Sequence, residues 1–115
     1  MLPKKYRLKK KNDFARVMQG RGVAVSGCLI LRFRDNQLET SRAGFICSKK
    51  VAKKAVERNK IKRRLREIVR ALWLNVKPGY DLVFLALPSI TDKEFREIQA
   101  AVEILLKKAR VIKNF

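Results

Sequence analysis

A cluster of cations with helical spacing is the feature of this sequence best suited to a chemical role. It lies in the segment Ala55–Arg70, which reads AVERNKIKRRLREIVR. On a helical wheel with about 100° per residue, the large apolar side chains share one arc of about 100°, and a neighbouring arc of about 140° contains no acid. We call the residues of this second arc the basic arc: Arg58, Asn59, Lys62, Arg63, Arg66 and Arg70. Like charges at this spacing repel one another, so the pattern indicates an anionic partner.

The acids of this helix lie on its remaining face. Glu57 and Glu67 are there beside Lys60 and Arg64, at spacings that predict ordinary pairs of opposite charge. A helix that was basic only for solubility would spread its acids around the polar surface. The segregation therefore favours a phosphate-bearing partner, because the guanidinium fork binds two oxygens at once. A solvated basic face in a very basic protein is the simpler alternative.

The charge balance of the whole chain supports a polyanionic partner. Its 115 residues include 29 Lys and Arg against 10 Asp and Glu, a formal net charge of +19. Such an excess is hard to explain by solubility alone. No run approaches the roughly 20 apolar residues of a membrane-spanning helix, and no signal peptide precedes the basic N-terminus. We therefore expect a cytoplasmic protein that has no membrane partner.

The residue types limit the chemistry that the chain itself could perform. Histidine is absent, which removes the usual proton-transfer residue near neutral pH and the commonest nitrogen ligand of zinc. There is neither a glycine-rich phosphate loop nor a Gly-x-Ser-x-Gly elbow. Cys28 and Cys47 stand singly in apolar stretches and are expected to be buried thiols, not a disulfide or a ligand pair. We predict no catalytic residue and no metal site in the protein.

The elements that must position the basic arc follow from apolar periodicity. Residues 1–11 form a basic arm, and a short helix capped by Asn12 or Asp13 follows, ending at Gly20 and Gly22. One face of this helix carries Phe14, Val17 and Met18. Strands are predicted over residues 23–34, around Leu38, over 42–48 and over the apolar run YDLVFLAL.

Two further helices complete the prediction. The long helix runs over about residues 51–74, with Trp73 as a lid on the core. A capping box of Thr91 with Glu94 opens the last helix, whose buried stripe is Phe95, Ile98, Val102, Leu105 and Leu106. The order α-β-β-β-α-β-α predicts a single domain over 1–115, an α/β two-layer sandwich around a mixed sheet of about four strands. The strands that flank the long helix are expected to be parallel.

The segment SKKVAKKAVERNKIKRRLRE resembles the signature of the bacterial ribonuclease P protein subunit. The family's helix carries Arg-Asn-x-x-Lys-Arg-x-x-Arg, and this chain meets that pattern at Arg58, Asn59, Lys62, Arg63 and Arg66. The upstream segment RLKKKNDFARV and the strand GYDLVFLA are also similar to the family's arm, first helix and strand. The resemblance therefore covers essentially the whole chain.

The resemblance implies a fold and a role. Family members have a left-handed crossover between the parallel strands, which the general handedness rule would not predict. They join a catalytic RNA that removes the 5′ leader of precursor tRNA with bound metal ions, so Mg²⁺ is expected mainly on the RNA. The expected partners are this catalytic RNA and precursor tRNA, with no obligate protein partner and no cofactor held by the protein.

The resemblance also implies two sets of binding residues. The basic arc should face the catalytic RNA, and Phe14, Met18, Lys49 and Lys50, with the exposed sheet face, should line a cleft for the leader. Single-stranded nucleic acid is typically held by a cationic groove and side chains on which bases stack. The family commonly has an aromatic residue where this chain has Met18, so stacking there becomes a softer thioether contact. The alternative for Phe14 and Met18 is a helix face packed on the sheet, which is the expectation for Val17.

Two other classes of function remain open. A ribosomal protein or a general RNA chaperone would show the same excess of charge. A protein-only metal nuclease would have to use Asp81 or the pair Glu94 and Glu97, which are better explained as a turn residue and first-turn acids of a helix.

Overall fold

The computed structural model describes residues 2–113, within which three α-helices and four strands follow the predicted order. The helices are α1 (Lys11–Gln19), α2 (Ala55–Leu72) and α3 (Phe95–Lys108). The strands are β1 (Gly22–Ser26), β2 (Leu29–Asp35), β3 (Arg42–Ile46) and β4 (Tyr80–Ala86). No helix among the described residues is long and apolar enough to cross a membrane.

The strands form one mixed sheet in the order β1-β2-β4-β3. β2 is antiparallel to both of its neighbours, and β3 is parallel to β4, with Arg42 opposite Asp81 and Ile46 opposite Leu85. The predictions of a four-stranded mixed sheet and of parallel strands flanking the long helix are therefore confirmed. The N-terminal arm extends the sheet beyond β3, where the Leu8 amide donates to the Ala43 carbonyl at 2.8 Å.

The two faces of the sheet are covered differently. Alternate residues of β4, such as Leu82 and Phe84, join the main core with the apolar stripes of α2 and α3. On the other face, Val83 packs with Leu8 and Val17 beneath α1. Since α1 covers only part of this second face, the half-buried Ile46 and Leu85 beside it remain accessible.

The strand predicted over residues 23–34 is a hairpin. Ser26 pairs with Leu29, and Gly27 and Cys28 form the turn between them. Gly27 has a φ of 50°, a conformation that glycine adopts without steric cost. Leu38 is not in a strand: it is half-exposed in the connection from β2 to β3, so the prediction of a short strand there was wrong.

The helix starts also differ from those predicted. α1 begins after Lys10, and neither Asn12 nor Asp13 caps it. α2 begins at Ala55 because the preceding residues form a turn in which the Val51 and Ala52 amides donate to the Ser48 carbonyl.

The last helix begins three residues later than predicted, with Glu94 in place of Thr91 as its N-cap. Its capping box is formed by Glu94 and Glu97, whereas the Thr91 hydroxyl donates to the Pro88 carbonyl in a preceding 3₁₀ turn. The predicted stripe is buried except for Phe95, which is 43% exposed at the first helical position.

Candidate nucleic-acid interface

α2 presents its three predicted faces in three directions. Ile61, Leu65, Ile68 and Val69 are buried in the main core. Glu57, Lys60 and Arg64 line a common depression beside α3. The basic arc lies on the opposite side: Asn59, Arg63 and Arg70 are exposed, and Arg58, Lys62 and Arg66 are half-buried. The segregation of charge expected from the wheel is therefore present in the fold.

The acids beside α3 do not form the predicted ion pairs. Among the described residues, Glu57 does not pair with Lys60, and Arg64 does not pair with Glu67. Exposed pairs of this spacing contribute only a few tenths of a kcal/mol, so little stability is lost by leaving them solvated. The charges still balance on that face, whereas no acid of α2 lies within the basic arc.

Arg58 has a structural role that the sequence did not indicate. Its Nη1 donates to the carbonyls of Ala52 at 3.0 Å and Lys53 at 2.6 Å, and so ties the start of α2 to the preceding turn. This turn carries Lys49 and Lys50, both exposed. Arg58 thus links the basic arc to the two lysines predicted for the leader cleft.

Arg66 joins the basic arc to the edge of the sheet. Its guanidinium carbon lies 5.8 Å from the centre of the Phe45 ring, within reach of a cation–π interaction. Around it, Arg7, Phe14 and Phe45 help to line a cavity of about 260 Å³ at the β3 edge. Arg7 and Phe45 were not among the predicted site residues, although the apolar run around Phe45 marked it as strand.

Phe14 and Met18 lie four residues apart on the side of α1 that faces the ends of β3 and β4. Both are half-buried and, like Ile46 and Leu85, pack against the cluster of Leu8, Val17 and Val83. The Phe14 ring lies over Gly44, where a Cβ would come within 2.6 Å of the ring. Val17, by contrast, is fully buried, as expected. Phe14 and Met18 therefore combine packing with a surface that remains open to a ligand.

Two arginines of the sheet hold α1 in place. Arg42 makes a bidentate contact with Asp81, through Nε at 2.9 Å and Nη2 at 2.8 Å, and its Nη1 reaches Asp13 of α1 at 3.3 Å. The hydrogen bond to Asp81 raises the pKa of Arg42, which therefore stays charged. At the other end of α1, Arg32 Nη2 donates to the Met18 and Gly20 carbonyls at 2.7 and 2.8 Å.

The cysteines and the tryptophan behave as packing residues. Cys28 is buried, Cys47 is half-buried, and both are free thiols. Burial raises the pKa of each thiol, and for Cys47 the nearby Lys62 and Arg58 oppose that rise. Trp73 is half-buried against the core with its ring 5.5 Å from that of Tyr6, which confirms its assignment as a lid.

The acids considered for a metal nuclease have other partners. Asp81 is bound by Arg42, and Glu94 and Glu97 cap α3. Within residues 2–113, no group of three His, Cys, Asp or Glu side chains could hold a metal ion. The described residues of these elements form a cationic and aromatic surface, and the acids considered for a nuclease lie outside it or are bound within the fold.

Comparison with known proteins places this arrangement in one family. A family model described as ribonuclease P matches residues 2–110. The ribonuclease P protein component of Roseiflexus castenholzii is 38% identical over 95% of this chain and 89% of its own length. That of Symbiobacterium thermophilum is 38% identical over 98% of both chains.

A solved structure of a similar protein shows the same fold. It is that of a Staphylococcus aureus RNase P protein mutant with defective mRNA degradation activity. It superposes with a TM-score of 0.87 at 31% identity, over 95% of this chain and 92% of that one. On its sequence and its fold alike, this chain belongs to the ribonuclease P protein family.

Proposed function

We propose that this chain binds the catalytic RNA of a ribonuclease P ribonucleoprotein and the 5′ leader of precursor tRNA, and so assists the endonucleolytic removal of that leader. The observation that carries the proposal is the position of the basic arc. α2 presents Lys62, Arg63 and Arg66 away from its acids and beside the sheet edge over which α1 holds Phe14. Membership of the family supports this assignment.

The basic arc suits a folded RNA with closely spaced phosphates. Arg63 and Arg70 are exposed, whereas Lys62 and Arg66 are half-buried. Burial of the stem limits the orientations of the charged group while leaving it in water. A surface of this kind binds phosphates at fixed spacing, and its affinity should fall steeply with salt because counterions are released.

The cleft beside α1 suits an unpaired strand. Phe14 and Met18 form one wall, Ile46 and Leu85 form the floor, and Lys49 and Lys50 follow the end of β3. Aromatic and apolar side chains accept any base, and lysines follow the backbone charge. We therefore assign the 5′ leader, read with little sequence preference, to this cleft.

Catalysis is assigned to the RNA. The acids considered for a protein-only nuclease are engaged in the fold, since Asp81 is bound by Arg42, and Glu94 and Glu97 cap α3. The acids that surround the proposed interface do not fit a magnesium site held by the protein. Mg²⁺ is accordingly proposed as a partner of the RNA, and no protein residue is assigned to it.

The test is cleavage of precursor tRNA by the matched catalytic RNA with and without the protein. We expect the protein to increase cleavage at low magnesium concentration, and to favour binding of precursor over mature tRNA. Absence of both effects would refute the proposal. Equal stabilisation of every RNA tested, without preference for the precursor, would favour a ribosomal protein or a general RNA chaperone.

A protein-only nuclease is tested in the same experiment. RNA-free protein with magnesium should leave precursor tRNA and an mRNA intact. The mRNA is included because the similar Staphylococcus aureus structure is that of a mutant described as having defective mRNA degradation activity. Cleavage that disappears in Asp81→Asn but persists in a matched surface variant, Asp92→Asn, would support the nuclease instead.

A further inference from the structure

We propose that the side of α1 opposite the leader cleft is a second RNA-binding surface, which takes an unpaired nucleotide with its phosphates. We call it the arginine groove and define it by Arg16, Arg21 and Arg34, which surround a cavity of about 430 Å³. This volume lies within the range of about 300–1,000 Å³ typical of small-ligand sites. The proposal rests on the function proposed above, because it requires that the protein work on RNA.

The groove and the leader cleft are separated by α1. Phe14 and Met18 pack against the same small cluster as Ile46 and Leu85, which lie near the carboxyl ends of β3 and β4. Arg16 lies on the other side of the helix and lines the groove with residues from the opposite end of the sheet, among them Asp35 and Tyr80. A strand in the leader cleft would therefore not occupy the groove, and the two sites can be filled together.

The arginines of the groove carry charge that the fold does not neutralise. Arg21 and Arg34 are exposed, and neither forms a hydrogen bond or an ion pair with another described residue. The Arg16 side chain is 66% exposed and lies 3.7 Å from Asp13. That contact is loose, and the other Asp13 oxygen is already held by Arg42. Three guanidinium groups are thus available for phosphate oxygens.

The remaining acid of the groove does little to offset this charge. Asp35 is the one acid among the described lining residues, and its Oδ1 accepts a hydrogen bond from the Gln37 amide. It therefore shapes the turn after β2. Guanidinium groups bind phosphate through two parallel hydrogen bonds, so an RNA backbone is the anion that this geometry fits.

Two aromatic rings favour an unpaired nucleotide over a duplex. Phe33 and Tyr80 line the same cavity as the arginines, but they reach it from the other face of the sheet, where both are half-buried against the main core. The Phe33 ring lies close over β1, where a Cβ at Gly22 would approach it to 2.8 Å. Rigid aromatic surfaces beside cations are the elements with which proteins hold single-stranded nucleic acid. A duplex would hide its bases from them.

Arg34→Ala and Arg16→Ala test the groove, with Arg96→Ala on α3 as the control that removes the same charge elsewhere. Two affinities are measured: that of the protein for the catalytic RNA alone, and that of the assembled holoenzyme for precursor against mature tRNA. We expect each groove variant to weaken one of these two affinities by about fivefold to tenfold. The slope of log K against log salt concentration for that affinity should fall by about 0.7. The affected measurement identifies which RNA supplies the nucleotide.

The variants should fold normally, because both side chains are exposed, and thermal unfolding checks this. Arg34→Lys keeps the charge and should recover only part of the affinity, since an ammonium group makes no bidentate contact. If both groove variants match Arg96→Ala within twofold in both measurements while Arg63→Ala still weakens RNA binding, the groove is refuted and the proposed function stands. If the wild-type protein itself fails to stimulate cleavage, the proposed function fails first.

Discussion

Replacement of Arg42 tests whether the ionic cluster beneath α1 holds the site together. Arg42 bridges Asp13 of α1 and Asp81 of β4, whose side chains are 12% and 7% exposed. Arg42→Ala removes the cation and leaves two carboxylates with little access to water. In this variant Asp81 still accepts a hydrogen bond from the side-chain amide of Asn36 at 2.9 Å. Among the described residues, Asp13 is left with the 3.7 Å contact to Arg16.

The expected loss of stability follows from this burial. Removing one partner of a buried pair typically costs about 3–5 kcal/mol because the other charge stays uncompensated. The Arg42 side chain is itself 22% exposed and Asn36 remains, so we expect a smaller loss, about 2–3 kcal/mol. For a domain of this size each kcal/mol lowers the melting temperature by roughly 4–6 °C, which predicts a decrease of about 8–18 °C.

Urea unfolding at pH 7 measures this loss. Because the pKa of Arg42 is raised in the fold, the cation contributes stability at every pH below its ordinary pKa and loses it only in strong alkali. At pH 7 the guanidinium group of the wild type is therefore fully charged, so the deficit of the variant reports the contribution of this cation.

Arg34→Ala is the matched control for the unfolding measurement, since its side chain is exposed and forms no hydrogen bond or ion pair with another described residue. It should change the free energy of unfolding by no more than about 0.5 kcal/mol. A loss below about 1 kcal/mol in Arg42→Ala at pH 7 would refute the assignment of the cluster as the anchor of α1.

Three further predictions concern the proposed binding surfaces. Arg63→Ala should weaken binding of the catalytic RNA and reduce the slope of log K against log salt concentration by about 0.7 to 0.9, measured by filter binding at several salt concentrations. An equal effect of Arg64→Ala would contradict the assignment of three faces to α2. Phe14→Ala should reduce the preference of the holoenzyme for precursor over mature tRNA, and an unchanged preference with lost stability would assign Phe14 to the core alone. Alkylation of Cys47 should slow when RNA binds, because the phosphates offset the positive charges of Lys62 and Arg58 and so raise the pKa of this thiol further. An unchanged alkylation rate, measured by mass spectrometry, would place the RNA elsewhere.

The faces of α2 could be predicted from the sequence because helical periodicity is a local property. Ile61, Leu65 and Ile68 recur at the spacing of a buried stripe, and the fold buries all three. The positions of Glu57 and Arg64 opposite the basic arc follow from the same geometry. The residue at which a helix begins depends on local turns and caps, which have no such periodicity. α2 begins four residues later than predicted because a turn at Ser48 uses the backbone amides of the residues before it.

The hairpin at Gly27 could not be separated from a continuous strand by pattern alone. Val25, Leu29 and Leu31 preserve the alternation on either side of the turn, so the apolar pattern does not record the reversal. Gly27 beside Ser26 was the available turn signal. The displaced capping box has a related cause, because Thr91 and Glu94 satisfy the spacing as well as Glu94 and Glu97 do.

α1 divides one face of the sheet into two grooves, and this division could be seen only in the three-dimensional structure. Asp13 reads in sequence as a helix cap, and only the register that sets Arg42 opposite Asp81 shows that its carboxylate belongs to a buried cluster. Once Asp13 points toward Arg42, helix geometry directs Arg16 to the same side, and it directs Phe14 and Met18 to the other. An apolar stripe predicts which side of a helix is buried but not which neighbours its polar flanks meet. The orientation fixed by this cluster therefore determines both the predicted leader cleft and the groove that the sequence did not reveal.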